Sequence, residues 1–478
     1  MNKKDLLFSN ILKSDRIHFI GIGGVGMGSL AEIMINLGYN ISGSDIIENS
    51  MIIRLKNLGI KIFNKHSYQN IFSSKLIVVS SAISKTNEEI LTAKKYNIPV
   101  IKRAEMLSRL MKYKYKIIVS GTHGKTTTTA MIYSIFKSAH LHPTYINGGQ
   151  LIREDTYSYL DNGRYWIAEA DESDASFLYF KPTVAIVTSI DEEHLNFYQG
   201  KFNNLKLAFI KFLNNVSYDG YVVLCIDDTA IQEILPKINR KVITYGFNKN
   251  SDLYITNYFH KRFLFTFEVY IKKIKQYISI NLKTPGNFNI LNATAAIAVA
   301  LEEGINHDII LNSILKFPGV YRRFNYKNNY DLKLINKKLG KITLIDDYGH
   351  HPTEIQLTIQ IIRDLWCNRR LIMVFQPHRY TRMQSLYEDF IKTLSQVDIL
   401  LILEVYPAGE KSISEINSKK FCKDIKNIKK IRAIFVLNKF ILYKELDSLL
   451  VDNDILLLQG AGDIELIFKQ LMGRMRLN

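Results

Sequence analysis

Twice before residue 140, a short apolar run ends in a glycine-rich loop and passes at once into a helical pattern. No other feature restricts the fold as much. Arg16–Ile20 leads into Gly21-Ile22-Gly23-Gly24-Val25-Gly26 and a periodic stretch, Ser29–Leu37; Ile117–Ser120 leads into Gly121-Thr122-His123-Gly124-Lys125-Thr126 and a helix reaching Lys137. A strand feeding a helix through a tight glycine turn opens a β-α-β unit, so parallel sheets with helices on their faces are expected. Further strands are predicted at Tyr39–Gly43, Leu76–Ser80, Ile98–Ile101, Tyr165–Ala168, Val184–Thr188 and Tyr221–Leu224. The same rhythm returns with strand Ile342–Ile345, helix Thr353–Leu365 and strands Leu371–Phe375, Ile399–Leu403 and Ile455–Leu458. Between them, Asp252–Leu282 alternates aromatic and polar residues and predicts antiparallel strands, and the alanine-rich Asn287–Leu301 predicts a helix.

The chain is therefore read as α/β. At 478 residues it is too long for one domain. The expectation is a Rossmann-like domain over 1–112, a central P-loop-type ATPase domain over 113–324 whose parallel sheet carries a small antiparallel sheet, and a Rossmann-like α/β domain over 325–478. A hydrophobic share of 47% with 23% charged residues excludes a disordered chain. No apolar run approaches the roughly 18 residues of a membrane helix, so no membrane insertion is expected. The N-terminal segment shows no export signal, and three scattered cysteines fit a reducing cytoplasm. The net charge is +18, but lysine is spread along the whole chain without a recognisable nucleic-acid module, so no nucleic-acid partner is expected.

The first loop matches G-x-G-x-x-G, with Asp45 after the second strand. Glycines admit a diphosphate closely, and the helix N-terminus offers it amide N–H groups. NAD, FAD and UDP-sugars all remain open on this evidence. In the second loop Lys125 can neutralise terminal phosphates, and the Thr126 hydroxyl can ligate Mg²⁺. It is a variant P-loop, with two residues between its glycines and with Val119 where a first glycine would stand. Acidic residues follow two later strands, in Glu169-Ala170-Asp171-Glu172-Ser173-Asp174 and Asp191-Glu192-Glu193-His194. Such carboxylates beside a phosphate loop suit a divalent cation. Two histidine-rich clusters, Asp346-Asp347-Tyr348-Gly349-His350-His351 and Pro377-His378-Arg379-Tyr380-Thr381-Arg382, also follow strands, at the usual ligand edge of such sheets.

These motifs, in this order and across essentially the whole chain, resemble those of the Mur ligases, the ATP-dependent amide-forming enzymes of peptidoglycan synthesis. GTHGKTTTTAM, EADESDASF, DDYGHHPTE and FQPHRYTR belong to this ordered set, and the Ala-Glu-Ala-Asp-Glu-Ser-Asp and Asp-Asp-Tyr-Gly-His-His-Pro segments look more like the alanine-adding branch than its sister ligases. The resemblance implies phosphorylation of the UDP-N-acetylmuramate carboxylate by ATP and attack of L-alanine on the acyl phosphate. It implies Gly23, Gly24 and Gly26 at the UDP diphosphate, with Asp45 and Ser81 at the uridine. It implies ATP contacts from Gly121, Thr122, His123, Gly124, Lys125, Thr126, Thr127, Asn289, Asn292, Arg323, Asp346 (at the ribose) and Tyr348, with Arg322 also approaching the phosphates. Mg²⁺ would be held by Thr126, Glu169 and His194. Lys125, His350, His378, Arg379 and Arg382 would carry catalysis, the last four around the alanine and acyl group. The protein would be cytoplasmic, a monomer or weak homodimer.

The sequence departs from the family with Phe288 where a histidine is usual, and Glu193 and Asn196 where aspartates are usual. Phe209 stands at the place of a lysine that sister ligases carbamylate, and Lys206 is out of register. Alternatives are a ligase recycling a tripeptide onto the same UDP-sugar, a nicotinamide-dependent oxidoreductase, a nucleic-acid-stimulated ATPase and a folate-type polyglutamate ligase. His350, His378 and an amine that must be neutral to attack predict activity rising above neutral pH.

Overall fold

The structure, a computed structural model, describes residues 11–152, 154, 156–193, 195–332, 340–429 and 431–474. It divides into two compact units, Met1–Lys283 with Asn287–Pro318, and Thr284–Gly286 with Gly319–Asn478.

The first unit holds two sheets. β1 (Arg16–Ile20), β2 (Asn40–Ser44), β3 (Lys61–Phe63), β4 (Ser74–Val79) and β5 (Val100–Lys102) form an all-parallel sheet in the order β3-β2-β1-β4-β5. Helix α1 (Val25–Asn36) starts inside the glycine motif, earlier than the periodicity predicts, because two of its first four residues are glycines that blur the helical signal. Gly28 is needed there: a side chain would collide with Met51. Helix α2 (Arg103–Leu110) follows β5 directly. The glycine-rich loop thus lies at the carboxyl ends of the strands, where ligands of such sheets bind.

The second sheet runs β15-β14-β13-β12-β11-β10-β6-β9-β7-β8. Its strands are β6 (Tyr115–Ser120), β7 (Thr144–Leu151), β8 (Thr156–Tyr159), β9 (Tyr165–Glu169), β10 (Val184–Val187), β11 (Tyr221–Cys225), β12 (Lys241–Gly246), β13 (Leu253–Lys261), β14 (Leu264–Ile271) and β15 (Gln276–Leu282). The predicted antiparallel strands are present, but they do not stand apart. Tyr245 and Gly246 pair in parallel with Leu253 and Tyr254, so β13–β15 extend the edge of the same sheet. Helix α3 (Lys125–Ser138) leaves the second loop. Its run of four threonines has weak helix propensity, and burial of all four shows that tertiary packing holds it. Helix α4 (Asn287–Glu302) packs along it, with alanines allowing a close approach.

The second unit is a sheet in the order β16-β17-β21-β18-β19-β20. β17 (Lys341–Asp347), β18 (Leu371–Phe375), β19 (Ile399–Leu403), β20 (Arg432–Val436) and β21 (Ile455–Gln459) are parallel, and β16 (Asn325–Asp331) adds an antiparallel edge. The three central strands are buried throughout, which explains their unbroken apolar runs. Helices α5 (Pro352–Leu365) and α6 (Tyr380–Ser385) follow β17 and β18.

Candidate active site

The first loop is held from beneath by the end of β2. The Ser44 carbonyl accepts from the Gly21 and Ile22 amides at 2.9 and 3.2 Å, and the Asp45 carboxylate accepts from the Gly23 amide at 2.8 Å. A Cβ on Gly23 would lie 2.9 Å from that carboxylate, so glycine is required for this grip. The sequence assigns Asp45 to the uridine; here its partners are the Gly23 and Ile47 amides. Gly24 caps α1 without a side-chain bond, and no acidic residue lies in the first helical turn, so the orphan N–H groups of that turn have no built-in anion. Gly26 lies within this turn, and Ser81 is exposed just past β4.

Behind Ser44 stands a carboxylate no local motif announces. Glu89 is wholly buried and accepts from the Ser44 hydroxyl at 2.7 Å, the Asn70 amide at 2.6 Å and the Ser67 N–H at 3.3 Å, with His66 at 3.2 Å and His18 at 3.5 Å. Burial opposes its charge, but hydrogen bonds from His18, Ser44 and Asn70 outweigh it and hold the pKa down at about 2.

The second loop has the geometry of a phosphate cradle. Gly121 and Gly124 take φ of +127° and +80°, and side chains there would collide with Thr188 and Asn292. Lys125 folds back over the loop, donating to the Gly121 carbonyl at 2.5 Å and the Thr122 carbonyl at 3.1 Å, with Glu172 at 2.9 Å. Burial works against this ammonium, yet the carboxylates of Glu172, Asp171 and Glu169 outweigh it and raise its pKa. Burial pushes the Glu172 carboxyl up against the pull of Lys125, with Asp171 adding to the rise. Thr126 donates to Glu169 at 2.9 Å, and the Gly148 amide donates to the same oxygen at 2.9 Å. A Cβ on Gly148 would approach that oxygen to 2.8 Å. Thr127 is buried in the first turn of α3.

Asn289 and Asn292, assigned to ATP from sequence, are 2% and 5% exposed. Asn292 accepts from Thr128 at 3.2 Å and donates to Asn289 at 3.2 Å. They therefore buttress the loop from within α4. His123 donates its backbone N–H to Ser189 at 3.0 Å, and its Nε2 lies 3.4 Å from both Asp191 and Glu193. One ligand atom from each of these three lies within 4.8 Å of the others, an arrangement that suits a divalent cation. His194 lies outside the described residues. Phe209 is fully buried against Phe177, and Lys206 instead pairs with Glu233 at 2.6 Å.

In the second unit the ends of β17 and β18 gather the other cluster. Arg322 and Arg323 both lie over Tyr348, each guanidinium 5.2 Å from the ring centre. Tyr348, His350 and His378 follow one another edge to face at 5.4 Å, and His378 stacks on Tyr406. Arg382 approaches His378 at 3.3 Å; Arg379 is exposed, with φ +70°. Burial lowers His350 to about 3, helped by Arg382 and His378, and lowers His378 to about 4, helped by Arg382 and Arg379. Both shifts favour the neutral imidazoles, so the expected rise of activity above neutral pH rests mainly on the substrate amine. Asp346, expected at the ribose, is wholly buried. It faces Arg322 at 3.4 Å, and burial pushes it up to about 7 against that cation. In this structure it positions Arg322. Asp347 is spent on the backbone amides of Phe324 and Gly349.

Sequence reasoning missed Glu172, Glu89, Gly148 and Tyr406. Glu172 lay within a quoted motif but without a role; the others meet the site only through tertiary pairing.

Fold and loops together define a nucleotide-dependent α/β enzyme of the phosphate-loop class. The chain belongs to the Mur ligase family. Residues 16–115 match the model "Mur ligase family, catalytic domain", residues 119–300 "Mur ligase middle domain" and residues 332–462 "Mur ligase, glutamate ligase domain". It is 57% identical to the UDP-N-acetylmuramate–L-alanine ligase of Wigglesworthia glossinidia brevipalpis over 99% of this chain and 100% of that one. The crystal structure of the UDP-N-acetylmuramate–alanine ligase of Thermotoga maritima superposes with a TM-score of 0.81 at 30% identity, covering 96% of this chain and 99% of that one. A murein peptide ligase from Psychrobacter arcticus shares the fold, with a TM-score of 0.73 at 21% identity and coverage of 97% and 99%. The family is ATP-dependent, and no helix among the described residues is long and apolar enough to cross a membrane.

Proposed function

We propose that this protein joins L-alanine to the lactyl carboxylate of UDP-N-acetylmuramate, giving ADP and phosphate. The full-length likeness to an alanine-adding relative carries the choice of amino acid. The substrate carboxylate takes the γ-phosphoryl group of ATP, and the neutral amine of alanine then displaces phosphate from the acyl phosphate. Phosphoryl transfer asks a protein mainly for positioning and charge neutralisation. Lys125, with Gly121, Thr122, His123 and Gly124 around it, supplies both at the terminal phosphates. Binding would draw Lys125 from Glu172 toward the nucleotide.

Thr126 and Glu169 fit Mg²⁺: both offer hard oxygen donors, already in contact, and Gly148 leaves room beside them. Mg²⁺ would neutralise phosphate charge there, with His194 the further ligand expected from sequence. Gly23, Gly24 and Gly26 receive the diphosphate, with Asp45 and Ser81 toward the uridine. Asn289 and Asn292 support the ATP loop, and Arg323 and Tyr348 are further ATP-binding residues. His350, His378, Arg379 and Arg382 orient the alanine and acyl group. The two histidines are neutral at working pH, so they accept hydrogen bonds from the incoming amine without repelling its protonated form. The protein acts in the cytoplasm as a monomer or weak homodimer.

The test is mass spectrometry of the product formed from UDP-N-acetylmuramate, ATP and an equimolar panel of amino acids and the muropeptide tripeptide. The alanyl product should dominate; a tripeptide adduct alone would refute the assignment.

A further inference from the structure

Glu32 lies on α1, about two turns beyond the first glycine loop, and is only 6% exposed. Arg54, on the helix Ser50–Asn57, grips it as a fork: Nε is 3.1 Å from both carboxylate oxygens, and Nη2 is 2.6 Å from one of them. Both members of the pair then reach the next sheet. Ser158 donates its hydroxyl to Glu32 at 3.3 Å, and Arg54 donates to the Thr156 hydroxyl at 3.4 Å. Thr156 and Ser158 stand on β8, where Ser158 pairs with Ile146 of β7.

β7 carries this contact to the second loop. Two residues on from Ile146, the Gly148 amide donates to the Glu169 oxygen that also accepts from Thr126. The Asn147 side chain donates to the Thr126 carbonyl at 3.1 Å. A continuous path therefore runs from the first loop through α1, the Glu32–Arg54 pair, β8 and β7 to the second loop. α1 also packs on β7 and β8. Apolar packing is non-directional and tolerates sliding, whereas charge-assisted bonds from a planar fork fix a register. Packing does not close the seam at this point: Glu32 and Arg54 line, with Asn36 and Tyr159, a cleft of about 390 Å³. A buried ion pair often adds little stability over apolar residues of the same volume, so the contribution of this one lies in its geometry.

We propose that the Glu32–Arg54 pair is a positioning device for the ligation: held against Thr156 and Ser158, it sets the distance between the substrates bound at the two glycine loops. This rests on the reading of those loops as the UDP-sugar and ATP sites. The lactyl carboxylate must meet the γ-phosphoryl group in line, and a displacement of about 1 Å can cost about 100-fold in rate. Each loop is gripped within its own sheet, the first by Ser44 and Asp45, the second by Thr188 and Ser189. Loosening the pair therefore leaves each ligand's own affinity intact and slows the step in which the two react.

The experiment uses the full-length protein, the double variant Thr156→Val/Ser158→Ala, and Arg54→Lys. The double variant leaves the ion pair whole and removes its hold on β8. Three quantities are measured: kcat for the alanyl product, the thermal unfolding midpoint, and the calorimetric affinities for UDP-N-acetylmuramate alone and for a non-hydrolysable ATP analogue alone. In the double variant kcat should fall about 10- to 100-fold, with both affinities and the midpoint unchanged. Arg54→Lys keeps a charge on Glu32 without the fork and should lose less. Unchanged kcat in the double variant would overturn the proposal. So would a loss of kcat matched by weaker binding of either ligand alone or by earlier unfolding, which would mark a structural role. If the unaltered protein fails to bind either ligand, the reading of the two loops falls instead.

Discussion

The Lys125 ammonium lies 2.9 Å from the Glu172 carboxylate, and only 14% and 3% of the two side chains are exposed. The lysine proposed for the terminal phosphates is therefore held by a buried acid. This arrangement keeps a desolvated cation charged and places it beside the glycine loop. Replacing Lys125 by Met should lower kcat by about 10²–10³, the range seen when one preorganised electrostatic donor is lost. Affinity for UDP should stay unchanged. Steady-state kinetics with calorimetry of UDP binding checks both halves.

Gly124 sits at φ +80° with Asn292 filling the space a side chain would need. Gly124→Ala should cost about 1–3 kcal/mol through backbone strain and displace the loop from its buttress. Thermal unfolding should show the loss, and KM for ATP should rise while KM for alanine holds. Adding Asn292→Ala relieves the collision but not the strained φ, so the double variant should recover only part of the loss.

Glu89 behaves oppositely to a surface acid. Its folded pKa of about 2 lies below the ordinary value of 4.5, so the stability it contributes is fully present above pH 4.5 and is lost as pH falls toward 2. The stability difference between the unaltered protein and Glu89→Gln should be constant from pH 5 to 8 and shrink below 4.5. Urea unfolding across that range measures it; a difference that widens in acid would contradict the network as described. Glu89→Leu should cost more, about 3–5 kcal/mol, because buried partners lose their acceptor.

His350 and His378 have folded pKa values of about 3 and 4, below the ordinary 6.5. Unfolded chains bind protons first as pH drops, so stability should fall with decreasing pH from about 6.5 toward 3. Activity between pH 6 and 9 should follow the alanine amine and not these rings. His378→Gln should lower kcat yet leave the shape of the pH profile unchanged in that range.

Strands with an unbroken apolar run were readable to within a residue or two: Leu371–Phe375 and Ile399–Leu403 fall as predicted because both faces are buried. β7, with Asn147-Gly148-Gly149 inside it, carries turn chemistry and reads as a loop. β16 is a polar edge strand with no hydrophobic signal. The two glycine loops were readable because their chemistry is local. Glu89 was not, since it lies on the helix Glu88–Lys95 and meets Ser44 only through the tertiary fold. Two residues assigned to ATP from sequence have buried protein partners as well: Asp346 faces Arg322, and Asn292 bonds to Thr128 and Asn289. A sequence motif names the residue type but does not say whether ligand or protein occupies its hydrogen bonds.

The most direct test of alanine ligation is phosphate release by the purified protein with ATP and Mg²⁺, adding UDP-N-acetylmuramate and L-alanine singly and together. Release is predicted only when both are present, in a one-to-one ratio with alanyl product. Release with neither acceptor, or none with both from a folded protein that binds ATP, would contradict the account.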